Sequence, residues 1–321
     1  MWEVENRTPY ADHHSWVRDR QGAEVWIVAV RGTFHIHVDG TTSLSPEQDP
    51  VCVLPRHRDD TPSSSLIYDT DLYHTKPTTD ILLHGHAYAP AGARTVDTRL
   101  FIPRVLDKTL RVFGDRTWDK GVGGLTLSTP ERFEQMPLVY ERAFGGTTGE
   151  TGSETWDERN PIGVGFATAA NDLIGKPAPN IEQPTALISS WRDRPHPAGY
   201  GPIPCHWAPR RRWAGTSDDA WSRERQPLLP HDFDERFYLG APEDQQAREY
   251  LRGGERVELT NLTPNGTLSF SLPLVALGFE TFFATGERVV HRGELHSVIV
   301  EPDFPRVIMV WHTRLRCHGK V

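Results

Sequence analysis

Residues 24–38 read EVWIVAVRGTFHIHV, and this stretch decides the fold of the chain. The positions from Val25 to Val30 are all apolar, which is typical of a strand buried on both faces in the centre of a sheet or sandwich. Gly32 is expected to break that strand. After it, apolar and polar residues alternate, as in a half-buried strand whose polar face points outward. The stretch therefore predicts a hairpin-like pair of strands over 24–40.

The far end of the chain has the same character, because the segment 306–313, RVIMVWHT, is again apolar on both faces. Further strands are expected at 81–89, 94–102, 108–113, 277–284 and 294–301, with a hairpin around the turn at 263–266. Runs of strands without intervening helices indicate a mainly β fold. We predict an antiparallel β-sandwich-like core built from the N- and C-terminal strands, with few short helices.

The middle of the chain, residues 126–232, differs in composition from both ends. It holds half of the 26 prolines and five of the ten tryptophans. Proline disfavours helix interiors and sheet ladders, whereas disordered segments lack aromatic residues. We therefore expect an ordered, irregular layer packed against the sheets. The prediction is a single domain, 1–321, made of an N-terminal β part, this Pro/Trp-rich layer and a C-terminal meander preceded by a short helix, with bounds 1–125, 126–232 and 233–321.

The best helix signal in the sequence is 242–252. Pro242 lies at the first helical position and two acidic residues follow it, which suits the start of a helix. Gly253 and Gly254 then provide the end. The sequence predicts one helix across this segment.

Charge and cysteine usage limit the classes of partner. The formal net charge is −8 and the three cysteines share no CxxC spacing. An acidic chain repels phosphate backbones, so we expect no nucleic-acid partner. Few, scattered cysteines indicate a reducing compartment. The N-terminus shows no signal-peptide pattern and no apolar run reaches the ~20 residues that span a bilayer, so a soluble, cytoplasmic protein without a membrane partner is expected.

Two His-x-His pairs are the first candidates for a metal-binding or catalytic site. His35/His37 and His84/His86 would each present two imidazoles on one side of a strand, as a metal-dependent hydrolase could use. The competing interpretation is exposed or hydrogen-bonded histidine, which we favour because no third spaced ligand stands out. Neither a GxSxG elbow nor a Walker A lysine is present. We expect no catalytic residue, no metal and no cofactor.

Charged pairs inside apolar runs are the next candidates. Asp115-Arg116 and Glu141-Arg142 could supply a catalytic acid and an electrophile, but such pairs more often tie loops together as partly buried ion pairs, and we favour that role. Asn180 and Glu182 lie between two prolines, in a loop that could form a contact surface.

Tryptophans and an arginine run mark the later part of the middle segment. Trp191, Trp207, Trp213 and Trp221 could stack on sugar rings, as in a carbohydrate-binding β-sandwich. The alternative is that their rings fill the core beneath long loops. Arg210 opens a three-arginine run that we expect to be solvated or locally paired.

Short motifs along nearly the whole chain resemble one bacterial family. They include Lys76-Pro77 with Asp80, VFGDRTW at 112–118, YERAFGG at 140–146, NPIGVG at 160–165, PNIE at 179–182 and the Trp207–Trp221 run. In order and spacing these are similar to the family catalogued as domain of unknown function 2169, which is associated with type VI secretion. Residues expected to maintain the family's structure are Lys76, Asp80, Asp115, Arg116, Trp118, Glu141, Arg142, Gly145, Gly146 and Asn160.

The resemblance implies an accessory role without a reaction or cofactor. Members of this family look like adaptors, or chaperones, that stabilise effectors with a PAAR-like domain and help to load them onto the spike protein. Aromatic and arginine side chains dominate interface energetics, so we expect the effector contact in the Pro/Trp-rich layer. The residues expected there are Trp191, Trp207, Arg210, Trp213, Trp221, Asn180 and Glu182.

Overall fold

Two β-sheets dominate the computed structural model, which describes residues 3–317; the other positions of the predicted domain lie outside the described residues. The first, which we call the front sheet, has six strands. Its order is Ala11–Arg18, Glu24–Ile36, Arg306–Arg316, Glu294–Glu301 and Asp80–Leu83, with Thr42–Leu44 paired to Glu24–Ile36. All its pairs are antiparallel except that of Glu294–Glu301 with Asp80–Leu83. N- and C-terminal strands thus build one core, as predicted, and they do so within a single sheet.

The second sheet, the back sheet, has five strands and is antiparallel throughout. Its order is Ile181–Glu182, Leu106–Phe113, Thr95–Ile102, Arg256–Thr260 and Thr267–Ser271. Side chains of both sheets meet in one hydrophobic core, where Ile81 and Met309 of the front sheet join Leu100 and Leu110 of the back sheet. A fold in which two sheets pack face to face is a β-sandwich, so the predicted mainly β, sandwich-like class is confirmed.

The remaining elements are short. Two-stranded pairs are Arg56–His57 with Leu66–Tyr68, His86–Tyr88 with Gln135–Pro137, Trp118–Gly121 with Gly124–Leu127, Phe144–Gly145 with Val164–Gly165, Thr147–Thr148 with Thr155–Trp156, and Gly278–Phe282 with Arg288–Arg292. The α-helices are Ala208–Arg211 and Asp219–Glu224, and the 3-10 turns are Pro90–Gly92, Tyr140–Arg142, Ala170–Leu173, Glu235–Tyr238 and Glu243–Gln245. None of these helices, which are all that residues 3–317 contain, is long and apolar enough to cross a membrane.

Gly32 does not break its strand, contrary to the prediction. Glu24–Ile36 is continuous, and the chain reverses only afterwards, where the amide of His37 donates to the carbonyl of Thr41 at 2.9 Å. A Cβ atom at Gly32 would lie 3.0–3.1 Å from ring atoms of Tyr10, Phe34 and Trp311. The glycine is therefore needed because three aromatic rings converge on the strand there.

The predicted strand 81–89 is two strands, Asp80–Leu83 and His86–Tyr88. Between them the chain packs closely on the turn after Glu294–Glu301, because a Cβ at Gly85 would lie 3.2 Å from the Pro302 ring. The second piece leaves the front sheet and pairs with Gln135–Pro137. One apolar run is thus divided between two sheets.

The predicted helix at 242–252 is wrong, because only a 3-10 turn, Glu243–Gln245, forms there. The following amides bond to a distant loop instead of to the helix. The amide of Ala247 donates to the carbonyl of Thr79 and that of Leu251 donates to its hydroxyl, both at 2.9 Å. The Gln245 side chain is buried and donates to two further backbone carbonyls. Tertiary hydrogen bonds therefore replace the helical ones.

Residues 126–232, which we call the loop layer, are mostly irregular but have a hydrophobic core of their own. Phe144, Leu173 and Ile188 pack there around Trp118, which is 1% exposed. The layer joins the back sheet through Ile181–Glu182, which pairs with Leu106–Phe113. Order in this segment thus comes from buried rings and a shared strand ladder.

The outer face of the front sheet carries a buried polar cluster. The Lys76 ammonium donates to Asp80 at 2.7 Å and to Ser297 at 3.0 Å, and Asp80 also accepts two backbone amides. Nearby, the rings of His296 and His312 stack with centroids 4.6 Å apart. Burial lowers the pKa of His312 to about 3 and that of His296 well below its usual range, with Lys76 adding to both shifts. Lys76 and Asp80 therefore anchor a loop to the sheet, as expected of structural residues.

Replacing Gly32 by alanine should destabilise the protein by about 1–3 kcal/mol, because three rings must move to admit one methyl group. Urea unfolding gives the free energy of unfolding. The control is Gly123→Ala, where no atom lies within 4 Å of the added Cβ. Equal stability of the two variants would contradict the packing that we assign to Gly32.

Acid should destabilise the fold through the buried histidines. The pKa of His312 is 6.5 in its reference state and about 3 in the folded protein, so the unfolded chain binds a proton that the folded one rejects. The free energy of unfolding should fall as the pH drops below 6.5, by about 1.4 kcal/mol per pH unit for each such histidine. Urea unfolding at several pH values gives the slope of the unfolding free energy against pH. In the His312→Asn variant this slope should be smaller by the contribution of one histidine. His196→Asn, at an exposed position, should keep the wild-type slope.

Candidate functional site

A cleft of about 690 Å³ opens where the loop layer meets the end of the back-sheet strand Leu106–Phe113. We call it the Arg142 cleft. Its lining residues are Asp115, Arg116, Thr117, Ser128, Thr129, Glu131, Glu141, Arg142, Val164, Pro177, Ala178 and Asn180. The cleft thus brings together both charged pairs that the sequence singled out, with Asn180 beside them.

Arg142 links the walls of the cleft. Its Nη1 donates to Asp115 Oδ1 at 2.9 Å and to Asn180 Oδ1 at 3.0 Å. The Asn180 amide in turn donates to Asp115 Oδ1 at 3.0 Å and to the carbonyl of Phe113 at 3.1 Å. Because the side chain of Asp115 is 65% exposed, its carboxylate still faces the solvent of the cleft. The three side chains form a fixed polar rim.

Behind this rim lies a buried ion pair between Arg116 and Glu182. The Arg116 guanidinium donates to Glu182 and to the carbonyl of Pro179, and it lies 4.0 Å from the centre of the Phe113 ring. The second oxygen of Glu182 accepts the amide of Ile188 at 2.8 Å. Burial lowers the pKa of Arg116 and raises that of Glu182, against the attraction between the two groups. The interpretation that these residues tie loops together through ion pairs is confirmed for Arg116 and for Arg142 with Asp115, although the partners are not the sequence neighbours. Glu141 forms no ion pair within residues 3–317.

Two further residues of the site escaped the sequence reasoning. Ser65 donates its amide, at 2.7 Å, and its hydroxyl to Glu141, and it accepts the amide of Tyr140 at 2.9 Å. A serine in a polar loop has no sequence pattern that would predict this role. Glu131 lines the cleft with an exposed side chain. With Asp115 and Glu141 it gives three carboxylates against two guanidinium groups in the lining, so the cleft is acidic.

The glycine-rich motif after Arg142 holds the cleft wall in place. The buried Asn160 side chain donates to the carbonyls of Tyr140 at 2.8 Å and Phe144 at 3.0 Å. Gly145 and Gly146 have φ of 147° and 104°, and a Cβ at Gly145 would lie 2.2 Å from the Asn160 carbonyl oxygen. Only glycine fits such a close approach of backbone to backbone. These three residues are structural, as the resemblance implies.

Several residues expected at a contact surface are interior instead. Trp207 is 1% exposed and packs edge-on against Tyr140, with ring centroids 5.4 Å apart. Arg210 is 3% exposed and donates to Asp69 at 2.6 Å and to the carbonyls of two other segments. Glu182 is 2% exposed. For these three residues the predicted contact role is wrong, because each one is used to fill or satisfy the interior. Asn180 is also buried, and it contributes to the cleft rim.

The other three tryptophans of the predicted contact surface stay partly exposed. The guanidinium of Arg236 lies 3.5 Å from the Trp213 ring centre, and that of Arg212 lies 4.7 Å from it. Trp221 donates its indole N–H to the carbonyl of Leu228 at 2.8 Å. Trp191 packs against the core of the loop layer. Within the described part of the chain no ring contact joins these three, so they do not form one stacking platform.

The histidine pairs do not assemble a shared site. His35 and His37 are exposed. The Nδ1 atom of His86 forms a hydrogen bond with Asp303 Oδ2 at 2.7 Å. His84 lies outside that strand, and its buried Nε2 has no hydrogen-bond partner within the described residues. The premise of two imidazoles on one side of one strand is therefore wrong for this pair. Across residues 3–317, no group of three potential ligand side chains gathers as a metal site would require.

Comparison with known proteins gives one match. A family model described as "Uncharacterized protein conserved in bacteria (DUF2169)" matches residues 21–312. No curated protein and no solved structure matches the chain significantly. The matched span contains the back sheet, the loop layer and the whole Arg142 cleft.

Replacing Glu182 by glutamine should cost about 3–5 kcal/mol of unfolding free energy, because it leaves the Arg116 charge buried without a counter-charge. Thermal or urea unfolding provides the measurement. The control is Asp107→Asn in the exposed pair with Arg99, where the expected loss is about 0–1 kcal/mol. Similar losses in both variants would show that the buried pair does not anchor the loops.

Proposed function

Because the chain belongs to the DUF2169 family of uncharacterised bacterial proteins, and because its motifs resemble those of type VI secretion accessory proteins, we propose that it is a non-catalytic adaptor. In this proposal it binds and stabilises an effector with a PAAR-like domain and helps to load that effector onto the spike protein. It acts where it is made, in the cytoplasm.

The roles of the motif residues support a binding scaffold. Asn160 with its two glycines shapes a backbone turn, Lys76 with Asp80 anchors a loop, and Arg116 with Glu182 joins the loop layer to the back sheet. Each of these interactions maintains the position of a loop. An adaptor requires a surface of constant shape, and these motif residues, which resemble those of the family, maintain such a shape.

The observation that carries the proposal is the surface around Trp213. Its partly exposed ring is contacted by the guanidinium groups of Arg212 and Arg236, which are themselves paired to Glu243 and Asp234. The backbone beneath it is fixed, since the buried Arg210 bonds to three separate segments. Tryptophan and arginine on a rigid support lose little conformational entropy on binding, and they are the side chains most enriched at interface hot spots.

The Arg142 cleft provides a second contact in this proposal. Its exposed carboxylates, Asp115 and Glu131, suit a basic side chain of the effector. The cleft and Trp213 both belong to the loop layer or its border with the back sheet. A partner that used both would bind the protein through charge and aromatic contacts.

Trp213→Ala should reduce recovery of the effector at least tenfold, as expected when an aromatic hot spot worth about 2 kcal/mol is removed. The tagged protein is co-expressed with a candidate PAAR-like effector, and the co-purified effector is quantified. Phe304→Ala, which removes a 74% exposed ring that does not belong to the loop layer, should leave recovery unchanged.

Two results would contradict the proposal. Effector abundance and recovery that do not depend on this protein would remove the adaptor role itself. Stoichiometric metal in the purified protein, found by elemental analysis and lost on His84→Ala, would favour a metal-dependent enzyme instead. If neither Trp213→Ala nor Phe304→Ala reduces recovery of the effector, the adaptor role stands and the effector contact lies somewhere other than Trp213.

A further inference from the structure

A small pocket of about 60 Å³ opens beside Trp213. Its lining combines apolar side chains, such as Leu239 and Ala241, with one carboxylate, that of Glu243, and three guanidinium groups. These belong to Arg210, Arg212 and Arg236. A water molecule needs about 10–15 Å³ of such volume, so the pocket has room for a group of a few heavy atoms.

The three arginines differ in how far their hydrogen-bonding capacity is used. Every side-chain N–H of Arg210 has an acceptor on a surrounding segment. Arg236 donates through Nε and Nη2 to Asp234, and Arg212 donates through Nη2 to Glu243 at 3.3 Å. Within residues 3–317, the other side-chain donors of Arg212 and the Nη1 of Arg236 have no hydrogen-bond partner. The pocket therefore offers positively charged donors to a further acceptor.

Glu243 holds its place in the pocket loosely. Its side chain is 81% exposed, and the side chain of its partner Arg212 is 53% exposed. Glu243 also acts on the second guanidinium group, because the pKa of Arg236 is raised mainly by Asp234 and further by the charge of Glu243. An exposed ion pair of this kind contributes little to stability. Another carboxylate can therefore replace Glu243 at small cost.

We propose that this pocket receives an aspartate or glutamate side chain of the effector, which takes the place of Glu243 beside Arg212 and Arg236. The inference rests on the proposed function and names the chemistry of the partner at the Trp213 surface. A partner that covers the pocket excludes water from it. Charge-assisted hydrogen bonds from the two guanidinium groups are then stronger than in the exposed pair.

Charge complementarity selects an acidic group as the occupant. The chain as a whole carries a net charge of −8, whereas three guanidinium groups face one carboxylate in this lining. An apolar side chain would bury the free donors of Arg212 and Arg236 without an acceptor, which is costly. The Arg142 cleft has the opposite excess, of carboxylates. A partner complementary to both sites thus presents an acidic residue to Trp213 and a basic residue to the cleft.

The first test measures the affinity for a candidate PAAR-like effector by biolayer interferometry. Arg212→Gln and Arg236→Gln should each weaken binding about tenfold, because each removes a charged donor from the carboxylate of the partner. Glu243→Gln should instead tighten binding about threefold, because it removes the group that competes for Arg212. A residue that only maintained the fold would not improve binding when it is replaced.

A neighbouring exposed ion pair provides matched controls. Arg211 and Glu158 pair at 2.6 Å with side chains 55% and 57% exposed, and neither residue lines the pocket. Arg211→Gln and Glu158→Gln change the net charge in the same way as the test variants and should leave the affinity unchanged. Because Arg236 also packs on the Trp213 ring, the variants of Arg212 and Glu243 carry the decision.

A second probe separates this inference from the proposed function. A fluorescein-labelled peptide of alternating glutamate and serine is titrated with the protein by fluorescence anisotropy, against a glutamine–serine peptide. The glutamate peptide should bind more tightly to the Glu243→Gln variant than to the wild type, and more weakly to Arg212→Gln. The glutamine peptide should show none of these differences.

The outcomes distinguish the two proposals. An effector that binds the wild type, Arg212→Gln and Glu243→Gln with equal affinity overturns the inference and leaves the adaptor role intact. If no effector binds the wild type, the adaptor role fails and the peptides decide the inference. Equal binding of the glutamate peptide to the three proteins then overturns it, and the expected order of affinities supports it.

Discussion

Pairing between the two ends of the chain organises the molecule. From Val25 opposite Arg316 to His35 opposite Arg306, the strands Glu24–Ile36 and Arg306–Arg316 hydrogen-bond without a break. Their inner face contributes residues such as Phe34 and Met309 to the sandwich core, and their outer face supports the buried polar cluster around Lys76 and Asp80. Because a β-strand alternates its side chains between two faces, one ladder fixes both layers at once. The segments that pack on either face are therefore positioned relative to this pair of strands.

Irregular backbone leaves carbonyl groups without ladder partners, and buried arginines satisfy them here. Arg116 donates to Pro179, and Arg210 donates to Ile203 and Phe237, while each pairs with one carboxylate. A guanidinium group offers five donors in a fixed plane, which suits several acceptors that approach from different segments. The loop layer therefore keeps its shape through side chains where a sheet would use its own main chain. This explains how a proline-rich segment stays ordered.

The parts of the fold that periodicity encodes were predictable, and the parts that distant segments impose were not. Alternation marked Thr95–Ile102 and Leu106–Phe113 correctly. Runs that are apolar on both faces marked Glu24–Ile36 and Arg306–Arg316, although the predicted break at Gly32 was wrong. The pattern at 242–252 favoured a helix, but the hydrogen-bond acceptor on Thr79 decided otherwise. For the candidate site, the motifs located Asp115, Arg116, Glu141 and Arg142, but their true partners come from other loops. Composition could not separate the buried Trp207 from the half-exposed Trp213, because burial depends on tertiary contacts.

The ladder between Glu24–Ile36 and Arg306–Arg316 also sets the order of events at the ribosome. Nearly the entire polypeptide must be translated before the strand that flanks Glu24–Ile36 on its inner side exists. Until then, an early segment that is apolar on both faces has only Ala11–Arg18 and Thr42–Leu44 beside it. Contacts between residues that are far apart in sequence slow folding, and they prolong the exposure of apolar surface on the nascent chain. Premature termination anywhere before residue 306 would release a product that lacks the strand between Glu24–Ile36 and Glu294–Glu301, and its front sheet would stay in two parts.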